Sequence, residues 1–227
     1  MRLALLILAL VCGVVACVAC AKSRPESDAL LADGARLRER REDLKKRWQQ
    51  AELPGCEPLG LAASAARSCA NARMAFDRFK LALARGESDE QAMQAALELA
   101  QSSAEATRLL RRAATERALP ELKARDDPFL TVVNAHTGIA TGALQALGVF
   151  LQFGPREVRR RAIGSFEGFA RGYPEFSIRH TLLEAELIEA DPEIRRRIVE
   201  LSKSVPSPKQ RAAQPRPSGQ PSANRSD

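Results

Sequence analysis

Apolar residues recur along most of this chain at intervals of three, four and seven, the spacing of helices that bury one face. After Ser27, which suits an N-cap, Leu30, Leu37, Leu44 and Ala51 repeat every seven positions with Trp48 beside them. This predicts a helix to about Glu52. Its middle, from Arg36 to Arg47, is densely charged, so the stripe either packs on its own domain or seams a short coiled coil with a partner. The turn-rich connector Leu53-Pro54-Gly55-Cys56-Glu57-Pro58 follows. A second helix is predicted over about 61–85, with Ala62, Cys69, Phe76 and Leu83 in one stripe and Gly86 at its C′ position. Ser88-Asp89-Glu90-Gln91 reads as a capping box that opens a long helix to about Ala118, bounded by Pro120. Short loops make these three helices an antiparallel bundle.

Asp127-Pro128, an N-cap followed by Pro at N1, starts a helix over about 129–152 that carries no formal charge. Phe129, Val132, Val133, Ile139, Ala143, Leu147 and Phe150 form one face. Asn134, Gly138, Thr141, Gly142, Gln145 and Gly148 form the other. The Gly138-x-x-x-Gly142 spacing permits close helix neighbours, while Asn134, His136, Gln145 and Gln152 make the segment a poor bilayer span. It is therefore expected to be a central helix buried on most sides. Further helices are predicted from Gly154-Pro155 to Arg171, from Tyr173-Pro174 to Ala190, and from Asp191-Pro192 to Lys203. Arg156-Glu157-Val158-Arg159-Arg160-Arg161-Ala162-Ile163 echoes Pro192-Glu193-Ile194-Arg195-Arg196-Arg197-Ile198-Val199 at an offset of 36 residues. This loose pattern resembles HEAT-type repeats, and the resemblance implies paired helices over 128–203.

The first residues follow another logic. Leu3 to Cys20 is an uncharged apolar stretch behind Arg2, long enough for a signal segment and short for a membrane helix. Val14-Val15-Ala16-Cys17 resembles the lipobox of bacterial lipoproteins, in residues 1–20 only. The resemblance implies that 1–16 is removed as a signal peptide and that Cys17 becomes a lipidated N-terminus on a polar spacer, 17–26. Acyl chains there would hold the protein on a membrane, each buried CH₂ contributing about 0.8 kcal/mol. Val18 stands where some inner-membrane lipoproteins carry Asp, which points to the periplasmic face of the outer membrane. Cleavage after Ala19-Cys20-Ala21, giving a secreted or periplasmic product, and a retained membrane helix are the competing readings.

Composition bounds the rest. Aromatics are 4% and Ala is abundant, so the core calls for close helix packing rather than strands. The net charge of +7 disperses: the tail from 204 to 227, rich in Pro, Ser and Arg, holds Lys209, Arg211, Arg216 and Arg225 against Asp227 and is expected to be disordered. The body, 27–203, keeps little net charge, which argues against nucleic acid as a partner.

In an exported protein the two body cysteines, Cys56 and Cys69, are expected to form a disulfide; two buried thiols are the alternative. No Cys/His spacing suggests a metal, no cofactor motif occurs, and no catalytic residues stand out. His136 and His180 read as core or surface residues. Gly164-Ser165-Phe166-Glu167-Gly168 falls within a helix rather than on a nucleophile elbow. Glu184, Glu186 and Glu189 read as a solvated face. The expected fold is all-α, an antiparallel bundle followed by paired, HEAT-like helices. The expected role is a non-enzymatic, lipid-anchored envelope module that contacts a protein partner. The alternative is a binding module for a small apolar or cell-wall ligand on helix 129–152.

Overall fold

A computed structural model describes residues 34–116 and 128–205. The signal segment, Cys17 with its spacer, Ser27, Leu30, Pro120, Asp127 and the tail beyond 205 lie outside the described residues. Seven α-helices and no strand occur among those described. They are α1 (34–50), α2 (Ala63–Arg85), α3 (Asp89–Glu116), α4 (Pro128–Phe153), α5 (Arg156–Gly172), α6 (Arg179–Ile188) and α7 (Pro192–Ser204). A single 3₁₀ turn, Glu57–Leu59, interrupts the connector between α1 and α2.

The local signals act as their chemistry dictates. Gly86 ends α2 at φ 66°, a left-handed conformation that costs glycine nothing. Ser88 and Gln91 close the expected reciprocal cap of α3: the Gln91 N–H donates to Ser88 Oγ at 3.3 Å, and the Ser88 N–H to Gln91 Oε1 at 3.1 Å. The Asp191 carboxylate accepts from the Glu193 and Ile194 N–H groups and caps α7.

The charged α1 packs on its own domain. Leu37, Leu44 and Trp48 are buried, and the Trp48 indole meets Phe79 edge-on at 5.0 Å and Phe76 at 5.9 Å. Arg41 reaches Asp89 and the Glu87 carbonyl, while Lys80 Nζ donates to the Gln49 and Ala51 carbonyls. A cation on the orphan carbonyls at a helix C-terminus is favourably placed. These contacts make α1 antiparallel to α2. Arg40 over the Phe153 ring and Trp48 beside Gly142 make it antiparallel to α4 as well.

α4 is buried along Phe129, Val133, Ile139, Ala143, Leu147 and Phe150, as its pattern implies, and also at His136, Ala146 and Gly148. Its second face divides: Asn134, Gly138, Thr141 and Gln145 stay exposed, while Gly148 lies beneath Thr181. α5 and α7 lie side by side and run in the same direction, because Arg156 and Arg160 pair with Glu193 at one end and Arg197 with Glu167 further along. Echoed positions share burial: Val158 and Ile194, Ala162 and Ile198.

Three expectations need correction. No helix starts at Tyr173-Pro174. Phe176 and Ile178 turn into the core, where Phe176 meets Phe169 edge-on at 5.9 Å, and α6 begins only at Arg179. Burial of those two side chains overrides a continuous helix. Glu189 does not belong to a solvated face. It is buried, pairs with Arg159 at 3.1 Å and accepts from the Asp191 N–H. Finally, residues 204 and 205 belong to the folded body: Ser204 closes α7, and Val205 is buried with its carbonyl accepting from Arg179.

Candidate functional site

The connector after α1 brings Cys56 back onto α2, where Cys69 faces inward from the second turn. Their sulfurs lie at bonding distance and their Cα atoms 6.2 Å apart, within the ordinary range for a bridge. The bridge pins the connector to α2. Arg73, one turn beyond Cys69, adds a hydrogen bond to the Leu53 carbonyl at 2.5 Å.

α4 contributes the third member, one that sequence spacing did not offer. His136 is 1% exposed, and its Nε2 stands 3.5 Å from Cys56 Sγ. The two bridge sulfurs and a ring nitrogen of His136 all lie within 4.8 Å of one another. Burial lowers the His136 pKa from 6.5 to about 4, so the imidazole is neutral at pH 7. Nδ1 is buried without a hydrogen-bond partner among the described residues. An orphan of this kind costs about 1–3 kcal/mol, which a Phe or Leu in the same place would not incur. The cluster abuts a cleft of about 740 Å³ walled by Cys56, Cys69, Glu57, Arg73 and Met74.

Two surfaces complete the picture. Leu183, Leu187 and Ile188 are exposed on α6, Leu187 at 82%. They are three of the five exposed large apolar side chains among the described residues, within six positions. Glu184 is exposed beside them, paired to His180 at 3.2 Å. Separately, a cleft of about 500 Å³ runs between α1, α4 and α6, with Arg40, Arg47, Gln145, Gln152 and His180 in its walls. Ser165 lies inside α5, away from any strand-to-helix turn. Cys17 lies outside the described residues.

His136 was legible only as an isolated histidine, because its partners are 80 and 67 positions away. The one available signal was a histidine on the apolar side of an uncharged helix. Among the described residues no helix is long and apolar enough to cross a membrane. Comparison with family models, curated proteins and solved structures gives no match for this chain.

Proposed function

We propose that this chain is a lipid-anchored helical interaction module of the bacterial envelope, held by Cys17 and contacting a protein partner through the exposed end of α6. The observation that carries this reading is the apolar cluster Leu183, Leu187 and Ile188, with Leu187 at 82% exposure. Leu183 and Leu187 are four residues apart on one face, the arrangement that anchors helix-to-helix contacts. Glu184 and Glu186 flank them, so the partner surface that fits best combines apolar side chains with a basic rim. The lipobox-like Val14-Val15-Ala16-Cys17 supports the anchor, and the docked α1 ties the body to the segment that follows it.

The test is a photoreactive residue at position 187 in cells, with one at the exposed Arg196 of α7 for comparison. A discrete product at 187 alone, weakened by Leu183→Asp and containing a partner with apolar and basic contact residues, is expected. Equal labelling at both positions, or none at 187, refutes the surface. Mass analysis of the mature N-terminus tests the anchor: an acylated Cys17 is expected, and an unmodified chain beginning at Lys22 refutes it.

The cleft between α1, α4 and α6 supports a second reading, a ligand-binding module. Two arginines and two glutamines in its walls suit a polar cell-wall fragment better than an apolar molecule. A thermal shift with soluble wall fragments that disappears in Gln145→Leu would favour it.

A further inference from the structure

Cys56, Cys69 and His136 form a cluster of two sulfurs and one imidazole nitrogen, buried and drawn from three separate parts of the fold. A bridge alone has no use for the histidine. A cation does. In a tetrahedral zinc site, metal–sulfur bonds of about 2.3 Å and metal–nitrogen bonds of about 2.0 Å set sulfur and nitrogen about 3.5 Å apart. His136 Nε2 and Cys56 Sγ already stand 3.5 Å apart. We propose that the reduced form of this cluster binds one thiophilic d¹⁰ cation, Zn²⁺ or Cu⁺, through Cys56 Sγ, Cys69 Sγ and His136 Nε2, and that re-forming the bridge expels it.

The geometry permits the change. Cys69 is held on α2, but Cys56 sits in a connector whose only regular structure is the turn Glu57–Leu59, so its sulfur can part from Cys69 once the bond is broken. His136 is fixed by packing on α4 and keeps Nε2 aimed at the sulfurs. Charge also balances. Two thiolates and Zn²⁺ sum to zero, the state a buried site tolerates best. Cu⁺ leaves one negative charge near Arg73, which walls the adjoining cleft. The ligand set is soft, which selects Zn²⁺ or Cu⁺ over Mg²⁺ or Ca²⁺.

The same cleft gives a reductant its approach, since both cysteines line it. The reductant is a dithiol. Its thiolate attacks one sulfur of the bridge, the Cys56–Cys69 bond breaks, and a mixed disulfide forms. The second thiol of the reductant then displaces the protein. Two electrons and two protons pass to Cys56 and Cys69, and the reductant leaves as a disulfide. Cation binding releases the two thiol protons to solvent. Oxidation by a disulfide-bonded acceptor runs the electrons the other way, removes both thiolates as ligands and frees the cation.

The experiment uses the full chain in detergent, reduced with a phosphine without oxygen. Zn²⁺ is titrated against a chromophoric chelator, and Cu⁺ against a copper(I)-selective one, which separates the two ions. Cys12, Cys17 and Cys20 also carry sulfur, so the double variant Cys56→Ser/Cys69→Ser sets the background. One equivalent of Zn²⁺ or Cu⁺ above that background is expected. His136→Phe should weaken binding at least about 100-fold, and His136→Cys, which restores a soft donor, should recover most of it. A disulfide oxidant should release the bound cation stoichiometrically. Wild type that binds no more than the double variant, or a His136→Phe variant that binds as tightly as wild type, overturns the site. Retention of the cation after oxidation overturns the gating. If His136→Phe does not fold, His136→Cys against His136→Ser makes the same comparison.

Discussion

Three glycines of α4 share one helix and differ only in what faces them, so their alanine variants form an ordered series. Replacing a glycine within a helix by alanine gains about 0.5–1 kcal/mol from the smaller backbone entropy loss. At Gly138 a Cβ meets nothing within 4 Å, and the full gain is expected. At Gly142 it stands 3.3 Å from Trp48 Cζ2 and 3.6 Å from Cη2. The indole cannot retreat freely, because Phe76 and Phe79 also pack against it. Gain and crowding should nearly cancel, within about 0.5 kcal/mol of wild type.

At Gly148 the new carbon overlaps the Thr181 methyl, which belongs to a short, buried, β-branched side chain. Overpacking of this kind costs about 1–3 kcal/mol, which cancels the helix gain and leaves a net loss of up to roughly 2.5 kcal/mol. Urea unfolding reads the series, followed by far-ultraviolet circular dichroism and by Trp48, the sole tryptophan. With a slope near 2 kcal/mol per molar urea, Gly138→Ala should raise the midpoint by about 0.3–0.5 M. A destabilised Gly138→Ala refutes the open space beside that residue, and a Gly148→Ala variant as stable as Gly138→Ala refutes the close approach of Thr181 to Gly148.

Further outcomes are expected elsewhere in the fold. Cys69→Ser should lose about 3 kcal/mol under oxidising conditions, since the bridge spans a 13-residue separation; reductant should lower wild type similarly and leave the variant unmoved in the same urea assay. His136 is held neutral by burial, its pKa lowered from 6.5 to about 4. The unfolded chain therefore binds the proton more readily: with the bridge intact, the neutral group's stability is full above pH 6.5 and lost as pH falls toward 4, by up to about 3 kcal/mol. His136→Phe should flatten that part of the pH–stability curve, and an unchanged curve would dispose of the argument. Glu189→Ala should cost about 3 kcal/mol by leaving Arg159 without its buried carboxylate, measured by thermal unfolding. Leu187→Ala on the neighbouring α6 should change stability by less than about 0.5 kcal/mol, because that side chain is 82% exposed.

What could be read along the chain was whatever the chain writes locally. Gly86, the Ser88–Gln91 box and Asp191-Pro192 each act within four residues, and each marks its boundary in the structure. The seven-residue stripe of α1 was equally clear, but periodicity does not say which surface receives it; Phe76 and Phe79 do. Tyr173-Pro174 misled because a helix-start signal is weaker than the burial of Phe176 and Ile178. Glu189 misled because three acids near one another read as solvated until Arg159, thirty positions back, is placed beside one of them. The candidate site failed to appear for the same reason in stronger form. Each of its members is unremarkable where it stands, and only the return of the connector onto α2 and the packing of α4 bring them together.

That convergence has a consequence for how the N-terminal arm is held. Covalent and non-covalent attachments of the arm to α2 are separate in space and in chemistry. The bridge fixes the connector at Cys69, whereas α1 itself is held about two to three turns further along α2 by Lys80 on its last carbonyls and by Trp48 against Phe76 and Phe79, and beyond the end of α2 by Arg41 at the start of α3. A buried tryptophan is worth about 3–5 kcal/mol on truncation, comparable to or larger than the bridge. Breaking the bridge therefore loosens the connector around Cys56 without undocking α1. A site that must open to exchange a cation and close to protect its sulfurs needs this division, in which one sulfur sits on a yielding connector while the helices on either side stay fastened by contacts that do not depend on it.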